Sequence, residues 1–172
     1  LLDIFSVPDR ILPEVRPNYG NGIFGYTDNG TVFRRKIPVC SVFGDQQAAL
    51  FGQMCFNEGD SKSTFGTGSF LMMNTGGKKI ESKNNLLSTI FYQDTSGKVY
   101  YALEGSIYNS GSIFQWLKEE MGIIREYGEI EDCVKKTGYQ ENLFFVPAFT
   151  GLGAPCWDPY ARGLIIGIER ST

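Results

Sequence analysis

The apolar and polar residues of this chain fall into blocks that predict a mixed α/β fold. Ile37–Phe43 is apolar and partly β-branched, which predicts a short buried strand. Gln46–Asn57 then predicts a helix, which Gly59 would close. Further strands are predicted over Thr64–Asn74, Leu86–Tyr92, Lys98–Leu103, Leu143–Phe149 and Gly163–Ile168, and further helices over Ser106–Met121 and Glu129–Lys136.

The junction between the first strand and the first helix carries a carboxylate, Asp45, within Gly44-Asp45-Gln46-Gln47. Backbone N–H groups are exposed where a helix begins, and ligands of open α/β folds sit at the carboxyl ends of strands. A catalytic or binding role for Asp45 is therefore one interpretation. The simpler one is a helix N-cap, which Asp forms well. A carboxylate that caps a helix is also held still for a reaction, so the two are compatible.

Composition narrows the classes of function. A hydrophobic content of 42% is that of a globular chain, and no stretch is long and apolar enough to predict a membrane span. A net charge of −3 argues against a nucleic-acid surface. The sequence has no histidine, which excludes Ser-His-Asp catalysis and histidine-bound zinc within it. Its four cysteines lack metal-ligand spacing, so we expect free thiols and a reducing cytoplasm.

Two more stretches are candidates for chemistry. Ser61–Phe70 is rich in hydroxyls, and glycines flank Thr67, so its backbone can approach a ligand or form an anion-binding nest. A hairpin turn with polar decoration is the simpler interpretation. Gly111 and Gln115 lie four residues apart on one face of the predicted helix. A glycine inside a helix costs about 1 kcal/mol, so either a packed neighbour or a ligand would need its missing Cβ.

Several motifs together closely resemble the glycerol-kinase branch of the FGGY family of carbohydrate kinases. The resemblance runs in order along nearly the whole chain. Its motifs are Gly44–Gln53, Thr64–Phe70, Met73–Gly76, Tyr101–Gly105, Val146–Pro155 and Trp157–Gly163. It implies an α/β fold of the ribonuclease H-like (actin-like ATPase) type, which the order of antiparallel strands and a following helix also allows. It further implies parts of two such domains, 1–53 and 54–172.

The resemblance implies transfer of the γ-phosphoryl group of Mg²⁺-bound ATP to glycerol. Asp45 would be the base that accepts the hydroxyl proton and would also bind the substrate, with Gln46 and Phe70. The residues implied to contact ATP are Gly66, Thr67, Gly68, Gly111 and Gln115. No metal ligand is implied within the chain, and a homo-oligomeric protein without nucleic-acid partners is expected.

Other features depart from this family pattern. The family's N-terminal phosphate loop, the rest of its glycerol site and its adenine-binding segment have no counterpart here, so we expect an internal fragment. The loop Gly30–Lys36 does not match the loop with which some bacterial members bind fructose 1,6-bisphosphate. Two alternatives stay open: a kinase for another sugar or polyol, and an inactive fragment that only folds or binds.

Overall fold

The computed structural model describes residues 1–20, 22–27, 32–138 and 140–170. The predicted Gly30–Lys36 loop therefore lies partly outside the described residues, at Gly30 and Thr31. The chain forms two compact units, which are described separately. The first comprises Leu1–Gly44 and Tyr92–Val99, and the second comprises Asp45–Phe91 and Tyr100–Thr172.

The first unit contains short elements joined by irregular backbone. Helix α1 spans Leu2–Phe5, and a 3-10 turn spans Asp9–Ile11. Strands β1 (Gly25–Tyr26) and β2 (Pro38–Val39) pair antiparallel. The rings of Tyr19, Phe43 and Tyr92 pack against one another, with centroids 6.0–6.5 Å apart. This aromatic cluster supplies the apolar packing of a unit that has little regular structure.

The prediction of a buried strand over Ile37–Phe43 is wrong in length and in burial. The strand keeps only Pro38 and Val39, and both are exposed. Its pairing partner among the described residues, β1, is two residues long and cannot cover a longer strand. Five residues separate Val39 from Asp45, so the strand does not lead directly into the following helix.

The second unit is built on an antiparallel sheet of four strands among the described residues, in the order β3-β4-β6-β5. The strands are β3 (Ser61–Phe65), β4 (Ser69–Gly76), β5 (Leu87–Gln93) and β6 (Val99–Ile107). The last two residues of β5 and the first residue of β6 are assigned to the first unit. The single strand predicted over Thr64–Asn74 is wrong. Gly66, Thr67 and Gly68 instead form the tip of the β3–β4 hairpin, as the simpler interpretation had it.

Helix α2 (Asp45–Gly52) covers one face of this sheet, and the core lies beneath it. Leu50 and Met72 are fully buried and Phe91 is 1% exposed. Burial of each such side chain is worth about 1.5–3 kcal/mol. The aromatic ring of Phe51 meets that of Phe91 edge-on, with centroids 6.4 Å apart.

Helix α2 is shorter than predicted, since it ends at Gly52 and not at Asn57. Met54 adopts a left-handed conformation with φ of 61°, and two hydrogen bonds close the end. The Met54 N–H donates to the Phe51 carbonyl at 2.9 Å, and the Cys55 N–H donates to the Leu50 carbonyl at 3.2 Å. This is a Schellman cap, in which glycine is the usual left-handed residue. Because the left-handed residue is a methionine, a search of the sequence for a helix-ending glycine does not find this cap.

The other two helices are α3 (Gly111–Glu119) and α4 (Glu129–Thr137). The prediction for α4 is confirmed to within one residue. The prediction of a helix from Ser106 is wrong, because Ser106 and Ile107 are paired with β4 as the end of β6. Gly111 is therefore the first residue of α3, not an interior one.

The chain continues into β7 (Phe144–Val146) and β8 (Leu164–Ile166), which pair antiparallel. Both strands are shorter than predicted, and all three residues of β8 are exposed. The aromatic rings of Trp116, Phe145 and Phe149 pack together with centroids 4.8–6.0 Å apart. Cys40, Cys55, Cys133 and Cys156 are free thiols, as predicted. Within the described residues, no helix has the length and apolar character needed to cross a membrane.

Candidate functional site

Asp45 is the first residue of α2, and its carboxylate contacts the backbone of the next residue. Its Oδ1 atom accepts a hydrogen bond from the Gln46 N–H at 2.8 Å. This contact satisfies one of the N–H groups that the first turn of a helix leaves unpaired. Asp45 is exposed, so its second carboxylate oxygen can face a ligand. The carboxylate therefore pairs a first-turn N–H as a cap would, but from the first residue of α2 and not from the residue before the helix, as the N-cap interpretation required.

Lys62 is a residue that sequence analysis missed. It lies on β3, is only 6% exposed, and donates hydrogen bonds from Nζ to Gln46 Oε1 and to Thr64 Oγ1, the latter at 2.7 Å. Burial lowers the pKa of the Lys62 amine, while the nearby carboxylates of Glu104 and Asp45 act to raise it. Its only signal in the sequence was its place inside the hydroxyl-rich stretch Ser61–Phe70.

The sheet register places further predicted residues on the face that carries Lys62. Residues directly opposite each other in antiparallel strands point to the same face. Lys62 is opposite Met72, which is opposite Glu104. One step further along, Thr64 and Phe70 are opposite each other. Lys62, Thr64, Phe70 and Glu104 therefore share one face of the sheet, around the buried side chain of Met72.

The tip of the β3–β4 hairpin is joined to the start of α3 by backbone hydrogen bonds. The Gly66 carbonyl accepts the Gly111 N–H at 2.8 Å. The Thr67 carbonyl accepts the N–H groups of Ser110 and Ser112 at 2.9 and 3.2 Å. The hairpin therefore caps α3, and it places Gly66–Gly68 beside Gly111 as the sequence prediction grouped them.

This contact also explains two of the glycines. A Cβ on Gly111 would lie 2.5 Å from the Gly66 carbonyl oxygen. A Cβ on Gly68 would lie 2.4 Å from the Ile107 carbonyl oxygen. Of the two reasons that the sequence left open for Gly111, a packed neighbour is the one that the structure supplies. The premise of a glycine inside a helix was wrong.

The hairpin tip is only partly available to a phosphate group. The Gly66 N–H donates to the Gly68 carbonyl at 2.8 Å, so it is turned inward and cannot join a nest of amides. Thr67 is exposed at the tip, and hydroxyl and amide donors are the chemistry that phosphate oxygens accept. The donor set at Thr67 therefore suits a phosphate ligand.

Gln115 is not tied to the other predicted residues. It is exposed one turn beyond Gly111 on α3, and its Nε2 donates to Glu119 Oε2 at 2.8 Å. Within the described residues, no three His, Cys, Asp or Glu side chains cluster so as to hold a metal ion.

Most of the chain matches a known protein family. Residues 62–172 match the C-terminal domain of the FGGY family of carbohydrate kinases. The chain belongs to this family.

Relatives of this FGGY chain cover its whole length. It is 51% identical over 172 residues to glycerol kinase 2 of Thermotoga maritima, with 100% of this chain and 34% of that protein aligned. It superimposes on the crystal structure of Plasmodium falciparum glycerol kinase with ADP at a TM-score of 0.82 and 40% identity, over 99% of this chain and 34% of the other. The chain thus spans about a third of the length of these relatives.

A more distant structure carries the same fold. Xylulose kinase from Rhodospirillum rubrum aligns with 100% of this chain and 34% of its own at a TM-score of 0.73 and 18% identity. That likeness concerns the fold alone. The expected fold class, an α/β fold of the ribonuclease H-like (actin-like ATPase) type, is confirmed.

Proposed function

We propose that this FGGY chain forms part of an ATP-dependent glycerol kinase, which transfers the γ-phosphoryl group of ATP to glycerol and forms glycerol 3-phosphate. The observation that carries the proposal is the meeting of Asp45, Gln46 and Lys62 at the start of α2. Identity of 51% to a glycerol kinase over the whole chain supports glycerol as the substrate.

Asp45 is the proposed base. Its Oδ1 is anchored by the Gln46 N–H, so the carboxylate enters the reaction with its orientation set. Phosphoryl transfer has a loose transition state, and catalysis depends mostly on positioning and electrostatic stabilisation. A carboxylate can therefore serve as the base by aligning the attacking hydroxyl and accepting its proton late in the reaction.

Gln46 and Phe70 are the proposed substrate contacts. An amide offers both donors and acceptors, which suits a ligand made of adjacent hydroxyls. Phe70 is half-buried on the face that also carries Thr64, and its ring offers an apolar surface to a carbon chain. Together, Gln46 and Phe70 would recognise a small polyol by its hydroxyl groups and by its carbon chain.

The β3–β4 hairpin is the proposed nucleotide end. Thr67 would contact the phosphates, with Gly66 and Gly68 allowing close approach, and Gly111 and Gln115 would continue the contact along α3. Mg²⁺ bound to ATP would spread the charge on the phosphates. We further propose a division at Gln53 into parts of two domains, 1–53 and 54–172. A homo-oligomeric state stays a prediction.

Substitution of Asp45 tests the proposal in the full-length protein. Asp45→Asn keeps the size of the side chain and removes its basicity, so glycerol-dependent ADP release should fall by about 10²-fold or more. ATP binding, measured by calorimetry, should change by less than about twofold, because Asp45 belongs to the substrate end. Asp132→Asn, in the exposed first turn of α4, is the matched control and should keep full activity. Retained turnover in Asp45→Asn would refute the role of Asp45.

A panel of substrates tests the choice of glycerol. The full-length protein should phosphorylate glycerol with a higher kcat/KM than any pentulose or hexose. A pentulose preferred to glycerol would replace glycerol in the proposal and leave phosphoryl transfer in place.

A further inference from the structure

We infer that Lys62 is a positioning residue that fixes the orientation of the Gln46 side-chain amide toward the substrate. This inference rests on the proposed function, because it concerns how the proposed substrate site is built. Lys62 does not itself have to touch the substrate. Lys62 acts through Gln46, whose side-chain oxygen accepts a hydrogen bond from the Lys62 ammonium group.

The chemistry of the two groups determines which way the amide faces. A lysine ammonium has donors and no acceptor, so it can bind the Oε1 atom of a glutamine but not its NH₂ group. The Nζ atom of Lys62 lies against Oε1 of Gln46. The Nε2 atom of Gln46 therefore points away from Lys62 and presents its two N–H donors to whatever occupies the site.

The lysine is itself held in place from several sides. Its Nζ also donates a hydrogen bond at 2.7 Å to Oγ1 of Thr64, which lies two residues further along the same strand. The carboxylates of Asp45 and Glu104 attract it electrostatically. It is 6% exposed, so water competes little for these contacts. A donor fixed in this way restricts the rotation of the amide that it binds.

As a consequence, Gln46 and Asp45 would bind adjacent hydroxyls of the substrate in different ways. Gln46 presents donors, which bind a hydroxyl oxygen, while Asp45 presents an acceptor, which binds a hydroxyl proton. Without Lys62 the amide could rotate and offer its carbonyl oxygen instead. The site would then present two acceptors in a row, and one hydroxyl would lose its partner.

A double-mutant cycle in the full-length protein tests this inference. Lys62→Met removes the donor and keeps an unbranched side chain, and it should raise the KM for glycerol about tenfold, as expected for a lost charge-assisted hydrogen bond. The kcat should change by less than about threefold, because the base is intact. In a Gln46→Ala background the same change should alter KM by less than about twofold, because the group on which Lys62 acts is gone.

Controls separate positioning from folding. Lys83→Met, at an exposed lysine, should leave KM unchanged. If Lys62→Met does not fold, Lys62→Gln replaces it in both backgrounds. Its shorter, neutral amide is a weaker donor, so it should raise KM about threefold in the native background and not in Gln46→Ala.

Two results would overturn the inference: an unchanged KM in the native background, or an equal rise in both backgrounds. The second would mean that Lys62 supports the fold or binds substrate independently of Gln46. If the wild-type protein rejects glycerol, the proposed function is wrong. The same cycle is then run with the sugar that the protein accepts, so the two failures are distinguishable.

Discussion

Gly111→Ala probes the junction between the hairpin tip and α3. The N–H of Gly111 donates to the Gly66 carbonyl at 2.8 Å, and an added Cβ would lie 2.5 Å from that carbonyl oxygen and 3.2 Å from its carbon. Both obstructing atoms belong to the backbone, so no side chain can rotate away. Either the hairpin or the first turn of α3 must move.

The magnitude follows from two opposing terms. Overpacking of this kind costs about 1–3 kcal/mol. Alanine regains at most about 1 kcal/mol of helix propensity relative to glycine. The net expectation is a destabilisation of about 1 kcal/mol, which lowers the thermal midpoint of a domain of ordinary size by about 2–4 °C. Displacement of Thr67, the proposed phosphate contact, should also raise the KM for ATP about fivefold, while the KM for glycerol changes less.

Thermal unfolding and steady-state kinetics of the full-length protein measure both effects. The matched control is Gly128→Ala. Gly128 has helical backbone angles immediately before α4, and nothing lies within 4 Å of its added Cβ. Alanine there should be neutral or stabilising by up to about 1 kcal/mol. The reasoning would be refuted by a Gly111→Ala protein as stable as the control and with an unchanged KM for ATP.

Three further predictions concern a buried amide, the isolated chain and pH. Asn74→Ala should destabilise the protein to chemical denaturation by about 2–3 kcal/mol, because its buried side chain donates to the Cys55 carbonyl at 3.0 Å and accepts the Gly76 N–H at 2.8 Å. Exposed Asn84→Ala should cost less than about 0.5 kcal/mol. The 172-residue chain alone should release no ADP in a coupled assay, because it spans only 34% of the glycerol kinases that it matches, and measurable turnover would contradict this. Burial lowers the Lys62 pKa below 10.5, so the unfolded chain binds more protons between the two pKa values. Stability should therefore rise as pH approaches 10.5, and urea unfolding of Lys62→Met should lack this rise.

Local signals were reliable where a segment carries its own boundaries. Helix α4 is confirmed to within one residue, because acidic residues open it and Gly138 follows its end. The glycines around Thr67 were predicted to let the backbone approach a ligand, which stays a prediction; the structure shows the hairpin tip hydrogen-bonded to the start of α3. The residue type and place of Asp45 correctly indicated the start of a helix, although Asp45 is the first residue of α2 and not the N-cap before it.

Other boundaries depended on partners distant in the chain. Ser106 and Ile107 read as helix in a local pattern, yet their pairing with Phe70 and Ser69 extends β6 through them. The end of α2 depends on Met54 adopting a left-handed conformation that its residue type disfavours. A local window sees neither effect, because the energy comes from contacts outside it.

The sequence by itself determined the family, the fold class and the residues proposed for the substrate and nucleotide ends, because motifs and their order are properties of the chain. Only the tertiary structure showed that Lys62 is buried against Gln46 and near Asp45, and that Glu104 lies across Met72 from it. Sheet register brings Lys62 and Glu104 to the same face although more than forty residues separate them in the chain. A lysine between two serines reads as an exposed strand residue until the register places it beneath the start of a helix.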